Sequence, residues 1–305
     1  DIYGRIRGFP SESECSLLEE FASFPGGMGA NVAVALSRLG IKTAFIGAVG
    51  SDWASAMALE ALVRDGVDVS AAWISDGPLL RTLVMFDESG SRRLLALRLR
   101  GVALSPPHLT GRAREILEKA RLVYLGEVFV ELASRVAELA EELGRTLVYR
   151  PGSPYARLGL ERLRGALKHS DIFILNERSW KLLRASSGPQ APSEPGELLS
   201  LGPEAVILTL GRRGCVLYTE GREEHVEVPE GLLRAYKTVD ETGAGDAFSA
   251  GLIKALLAGR GLLEAISYGQ AAAAIACSRM GTYPSFPRAQ EVEEALELVF
   301  KREGR

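Results

Sequence analysis

Cysteine is scarce. Cys15, Cys215 and Cys277 are the three in 305 residues, odd in number and far apart, which excludes a disulfide framework and leaves no paired spacing for a zinc site. Histidine is equally rare, and His108, His169 and His225 stand at no spacing suited to metal ligation or base catalysis; all three read as surface residues. No apolar run approaches the ~20 residues of a helical membrane span. No segment combines a charged start, an apolar core and a small-residue cleavage site, so the cytoplasm is the expected compartment. An excess of basic charge is missing too: 36 Lys and Arg against 39 Asp and Glu give a net charge of −3. With no basic stripe, nucleic acid is not the expected partner. The chain has no Gly-x-x-x-x-Gly-Lys-Ser/Thr segment, which excludes a P-loop. It also has no Gly-x-Gly-x-x-Gly after its first strand-like run, which weakens a dinucleotide-binding reading. There is no internal repeat.

What is present is an ordinary globular composition, 47% hydrophobic and 25% charged, long enough for one large α/β domain or two small ones. Short apolar runs at Thr43–Val49, Leu122–Leu125, Thr146–Tyr149, Asp171–Leu175 and Ala205–Leu210 predict strands. Helical spacing is expected at 52–65, with Asp52 as N-cap, and at 111–120, 129–144, 157–168 and 176–185. Such alternation implies a parallel sheet with helices on both faces. Two regions break it: residues 1–24 and residues 70–103, where Arg81–Phe86 and Arg92–Arg100 flank a turn at Asp87-Glu88-Ser89-Gly90 and predict a β-hairpin. The Ser, Gly and Pro of Ala185–Gly196 mark a surface loop.

The most informative run is Asp240-Glu241-Thr242-Gly243-Ala244-Gly245-Asp246-Ala247. Gly243, Ala244 and Gly245 permit a tight turn and close approach to a ligand. The apolar stretch from Ala247 to Leu257 should then open a helix whose unpaired N–H groups favour an anion. Asp246 is out of character at an anion site. Either it stabilises its own helix, or it accepts the proton of a hydroxyl that attacks phosphorus.

This run resembles the C-terminal signature of the ribokinase-like (PfkB) carbohydrate kinase family, Asp-Thr-Thr-Gly-Ala-Gly-Asp, with Glu241 as the departure. Residues 26–40, Gly-Gly-Met-Gly-Ala-Asn-Val-Ala-Val-Ala-Leu-Ser-Arg-Leu-Gly, resemble the family's N-terminal glycine pair with its Asn and helix. Met28 stands where ribokinase itself usually has Lys, so D-ribose is not the favoured acceptor. The resemblance implies a three-layer α/β/α fold with a mainly parallel central sheet plus a small β lid. It further implies a single domain over residues 1–305 with lid strands from about 1–24 and 70–103. The lid would exclude water from the reaction and in the family often forms a homodimer surface.

By the same resemblance, Asp1, Gly26, Gly27 and Asn31 bind the acceptor, with Arg81 a further contact from the lid. Because the family usually has a strand before this Asp, the chain is expected to lack its natural N-terminal strand. Asp246 is the base, and Thr242, Gly243, Ala244 and Gly245 supply the anion hole. Thr209, Gly211 and Gly214 resemble the element beside the nucleotide phosphates; a tight hairpin is the other reading. Asn176-Glu177-Arg178-Ser179 falls where the family has Asn-x-x-Glu beside Mg²⁺, with Ser179 at the Glu position; Asn176 serves equally well as a helix N-cap. Asp240 and Thr242, with a loop at Met280–Tyr283, resemble a monovalent-cation (K⁺) site, or Asp240 is a turn residue. Ala271–Cys277 is expected to wall the nucleotide pocket. The reading is an ATP- and Mg²⁺-dependent kinase of a small sugar-like acceptor. A nucleoside kinase, a non-catalytic sugar-binding or regulatory protein on this scaffold and, more distantly, a nicotinamide-dependent dehydrogenase are its rivals.

Overall fold

The segment Ile172-Phe173-Ile174-Leu175 shows how the central sheet is built. Side chains alternate across a strand, yet all four residues are buried. Ile172 and Ile174 enter one apolar core, Phe173 and Leu175 another. Both faces of the sheet are therefore covered, the condition under which parallel strands form.

The computed structural model describes residues 1–11, 14–78, 81–88, 92–97 and 106–303. Its strands are β1 (Ile2–Arg5), β2 (Glu19–Ser23), β3 (Ala48–Val49), β4 (Trp73–Ile74), β5 (Arg81–Phe86), β6 (Arg92–Leu97), β7 (Leu122–Leu125), β8 (Thr146–Tyr149), β9 (Ile172–Asn176), β10 (Ala205–Thr209), β11 (Cys215–Thr219) and β12 (Arg222–Val226). The helices are α1 (Met28–Arg38), α2 (Trp53–Arg64), α3 (Arg112–Lys119), α4 (Val130–Glu142), α5 (Gly152–Ala156), α6 (Leu160–Leu167), α7 (Glu177–Ser186), α8 (Glu230–Ala235), α9 (Ala244–Leu257), α10 (Leu262–Cys277) and α11 (Ala289–Glu303).

The main sheet runs β12-β11-β10-β9-β8-β7. Strands β7 to β10 are parallel, while β11 and β12 close the far edge as antiparallel neighbours. One core holds α1, α9 and α10 against the sheet, and the other holds α4 and α6. The result is the expected three-layer α/β/α arrangement. The two regions that interrupt the alternation meet in a second sheet of order β2-β1-β5-β6. There β1 runs antiparallel to β2 and parallel to β5, and β5 pairs antiparallel with β6. Residues 79–80, 89–91 and 98–103 of the region expected to hold the hairpin lie outside the described residues.

Two expectations are corrected. Thr43–Val49 is not one strand of the main sheet. Phe45 N–H bonds to Asp68 O and Asp68 N–H to Thr43 O, and β3 pairs with β4 in a separate two-stranded sheet. The chain folds back over the Phe45 ring at Gly47, where a Cβ would sit 2.0 Å from the ring. The helix expected at 157–168 is α6 and starts only at Leu160, because Gly159 adopts φ 83° as its N-cap; a Cβ there would lie 2.4 Å from Ser186 O. One face of Ala271–Cys277 packs in the core, where Ala271, Ala272 and Ala276 are fully buried, while Ala273, Ala274 and Cys277 are partly exposed. Helices α9 and α10 meet backbone to backbone, and a Cβ on Gly269 would come within 2.7 Å of Phe248 O.

Candidate active site

Helix α9 can begin at Ala244 because Gly243 takes the left-handed conformation, φ 83°. Asp246 lies in its first turn and is 7% exposed. Its carboxylate turns to two distant segments. Oδ2 accepts from Asn31 Nδ2 at 2.7 Å, and Oδ1 pairs with Arg150 Nη1 at 2.7 Å. The carboxylate is not spent on its own helix, so the helix-stabilising reading is set aside. Asn31, one turn into α1, is 5% exposed, and its Oδ1 is buried with no hydrogen-bond partner among the described residues. An acceptor atom left open in this way suits a ligand hydroxyl.

Sequence reasoning missed Arg150, Glu127 and Tyr124. Arg150 follows the last residue of β8, and its N–H bonds to Leu125 O at 2.9 Å. A Cβ on Gly245 would lie 2.1 Å from Arg150 Nη2, so the missing side chain of Gly245 makes room for the guanidinium. Glu127 follows β7. Its Oε1 would be 2.1 Å from a Cβ on Gly152, which also has φ 71°. The Glu127 side chain opens to solvent on one side and is hemmed by protein on the others. Desolvation, then the charge of Asp246, pushes its carboxyl up to about 7 against the pull of Arg150. The Tyr124 hydroxyl is pushed up to about 12 by burial and lies beside the Arg150 guanidinium and the Ser249 hydroxyl. The available signal was position, since α/β sites are built at the carboxyl ends of parallel strands.

The expected anion hole is narrower than the four N–H groups of Thr242 to Gly245. Thr242 N–H bonds to Asp240 Oδ1 at 2.9 Å and Ala244 N–H to Glu241 O at 3.2 Å. The N–H groups of Gly243 and Gly245 have no partner among the described residues.

At the acceptor side, Asp1 packs on the glycine pair: a Cβ on Gly26 would lie 2.5 Å from Asp1 Oδ2. Gly27 has φ 100°, and nothing stands within 4 Å of where its Cβ would be, which leaves open space above the start of α1. Arg81 does not join this group. Its Nη2 pairs with Asp52 Oδ2 at 2.7 Å and its guanidinium covers the Trp53 ring at 5.6 Å, so its charge is committed at the start of α2.

Asp240 is corrected from cation ligand to latch. Oδ1 accepts from Thr242 N–H at 2.9 Å and Thr242 Oγ1 at 2.7 Å. Oδ2 accepts from Gly281 N–H at 3.0 Å and the Tyr3 hydroxyl at 3.3 Å. Four donors fill the ~four lone-pair sites of a carboxylate, which does not fit a K⁺ ligand. The loop at Met280–Tyr283 does meet Asp240, as expected, but as a donor.

Among the residues expected to meet the nucleotide, Asn176, Thr209 and Gly211 line a groove of about 570 Å³ together with Glu177 and Lys181, among others. Gly211 has φ 62° and open space at its Cβ position. Gly214 is a hairpin residue instead: φ is 89° and a Cβ would strike Val226 O at 2.0 Å. Asn176 is the N-cap of α7, its Oδ1 accepting from Ser179 N–H at 2.7 Å. Ser179 is 2% exposed and bonded to Ser153 Oγ at 3.0 Å, while Glu177 pairs with Arg213 at 2.6 Å. This element does not fit a direct Mg²⁺ ligand set, and no cluster of three His, Cys, Asp or Glu suited to a metal occurs among the described residues. Nor is any helix among them long and apolar enough to cross a membrane.

A pfkB family carbohydrate kinase model matches residues 2–289. Ribokinase of Arabidopsis thaliana is 26% identical over 98% of this chain and 79% of its own. The nucleoside kinase of Methanothermobacter thermautotrophicus is 27% identical over 92% of this chain and 86% of its own. The structure of Arabidopsis thaliana ribokinase complexed with ribose and ATP superposes with a TM-score of 0.78 at 24% identity, covering 97% of this chain and 95% of that one. With its sheet order, its two glycine elements joined through Asn31 and Asp246, and this match over most of its length, the chain belongs to the pfkB family of carbohydrate kinases.

Proposed function

We propose that this kinase transfers the terminal phosphoryl group of ATP to a hydroxyl of a sugar or sugar-like acceptor, with Asp246 as general base. The observation that carries the reading is the carboxylate of Asp246, held by Asn31 at 2.7 Å in the same helical turn as the free N–H of Gly245. Proton acceptor and anion donors thereby flank one point, as phosphoryl transfer requires. Asn31 Oδ1, Asp1 and Glu127 receive acceptor hydroxyls above the open Gly27. The N–H groups of Gly243 and Gly245 donate to phosphoryl oxygens, and the groove from Asn176 to Gly211 takes the rest of the nucleotide. ATP supplies the phosphoryl group; no step is assigned to Mg²⁺, and the buried Ser179 stands where the family's Glu would order the water around it.

The sheet β2-β1-β5-β6 is the lid in this reading, a part of one domain rather than a domain of its own. Phe21 and Leu94, 45% and 54% exposed, leave apolar surface on one face of this sheet, suited to a second copy of the chain, which sedimentation would detect. The decisive experiment is ADP release with Mg-ATP against sugars, sugar phosphates, sugar acids and nucleosides. One acceptor class should respond, and Asp246→Asn should lower turnover ~10²–10⁴-fold with nucleotide binding retained. Full activity in that variant removes Asp246 from the chemistry. A response to nucleosides alone would favour the activity named for the Methanothermobacter relative.

A further inference from the structure

Two negative groups must converge at the start of α9 in the reaction proposed above: the Asp246 carboxylate and the transferring phosphoryl. Two like charges in contact repel strongly in a site partly shielded from water. A base placed in an anion site is therefore self-defeating unless a cation lies between them. Arg150 occupies that place. Its Nη1 is 2.7 Å from Asp246 Oδ1, and its side chain is 14% exposed. Nη2 lies over Gly245, 2.1 Å from where a Cβ would stand, beside the N–H that has no partner. The guanidinium also meets the Tyr124 hydroxyl, and with five N–H donors it keeps capacity for a second anion. A planar guanidinium can serve two anions from its two edges, which a Lys ammonium cannot do in a fixed geometry.

We infer that Arg150 is a catalytic residue, binding Asp246 through Nη1 and the transferring phosphoryl through Nη2. The acceptor oxygen forms a bond to the terminal phosphorus as the bond from phosphorus to the bridging oxygen breaks, and that electron pair leaves on ADP. The hydroxyl proton passes to Asp246. Arg150 keeps its own proton throughout and cancels the repulsion between carboxylate and phosphoryl. The inference rests on the kinase reading.

The test uses Arg150→Met and Arg150→Lys in the full chain, with calorimetric titration of Mg-ATP and Mg-ADP beside turnover with the responding acceptor. Contact with the terminal phosphoryl predicts Mg-ADP affinity within twofold of wild type and Mg-ATP weakened about tenfold, or about 1.4 kcal/mol. Turnover should fall about 10³-fold in Arg150→Met and less in Arg150→Lys, and added guanidinium should restore part of it in the Met variant. If Arg150→Met fails to fold, the Lys variant carries the same nucleotide comparison. Unchanged ATP and ADP affinities with turnover within about threefold overturn the inference while leaving the kinase reading intact. A wild type that turns over no acceptor overturns the kinase reading; the ATP-against-ADP comparison then still decides whether Arg150 meets the terminal phosphoryl. A wild type that binds neither nucleotide overturns both.

Discussion

Gly245→Ala is the substitution whose outcome depends most directly on the geometry of the site. Gly245 sits inside the first turn of α9 and is not at positive φ, so alanine fits the backbone and should add up to ~1 kcal/mol of helix propensity. Against that, its Cβ would stand 2.1 Å from Arg150 Nη2 and 2.8 Å from Cζ. The guanidinium is the far end of a flexible side chain and will yield, but only by leaving the 2.7 Å pairing with Asp246. Breaking a buried pair costs ~3–5 kcal/mol; here the vacated groups border an open cleft, which lowers the loss to roughly 1–3 kcal/mol. Set against the propensity gain, net stability should fall by only about 0–2 kcal/mol, while turnover should fall by ~10²-fold or more. The assay is a double-mutant cycle on melting temperature and turnover with Arg150→Ala. In that background the new methyl finds empty space, so Gly245→Ala should become neutral or stabilising and should cost little further activity. Additive effects, or a Gly245→Ala single variant with wild-type turnover, would refute the argument that glycine is required there to seat the arginine.

Asp240→Asn exchanges one acceptor oxygen for a donor facing Gly281 N–H and the Tyr3 hydroxyl; a loss of about 3 kcal/mol should lower the melting temperature by about 5 °C, with no dependence on added K⁺. Gly214→Ala forces a side chain to φ 89° against the Val226 carbonyl, backbone that cannot give way, and should cost about 3 kcal/mol or more by chemical denaturation. Ser179→Glu places a charge where the side chain is 2% exposed; it should destabilise the fold without improving the Mg²⁺ titration of turnover. Glu127, raised to about 7, should give acceptor-dependent turnover an ionisation near neutrality that Glu127→Gln removes. Because the folded state holds that proton more tightly than the unfolded value of 4.5 allows, the group's stabilising contribution is full below about pH 4.5 and lost as pH rises through about 7.

The parts of this molecule that repeat a pattern were readable in one dimension. Strands β7 and β8 carry the expected bounds because each is an uninterrupted apolar run between polar neighbours. Asp52 caps α2 through Ser55 N–H at 3.1 Å, as its place before a helical pattern implied. Two glycine motifs 215 residues apart were expected to share a site, and Asn31 does meet Asp246. Single residues without pattern were not readable. Arg150 and Glu127 are lone polar residues after apolar strands, and only the parallel sheet puts those strand ends beside α9. Hydrogen-bond competition was also invisible: nothing in the order of residues tells that Asp240 draws in Thr242 N–H, or that Asp52 and Trp53 hold Arg81. Thr43–Val49 misled because its composition is that of a strand, while the ring of Phe45 fills the space at Gly47.

The bond from Tyr3 to Asp240 ties the small sheet to the loop before α9. Tyr3 belongs to β1, and its hydroxyl is the most distant of the carboxylate's four donors, at 3.3 Å. The other three come from the loop before α9 and from Gly281. Without this donor both carboxylate oxygens would still be satisfied. One carboxylate thus serves as the common anchor of two structures: the small sheet, through the buried Tyr3, and the turn that presents Gly243 and Gly245, through Thr242.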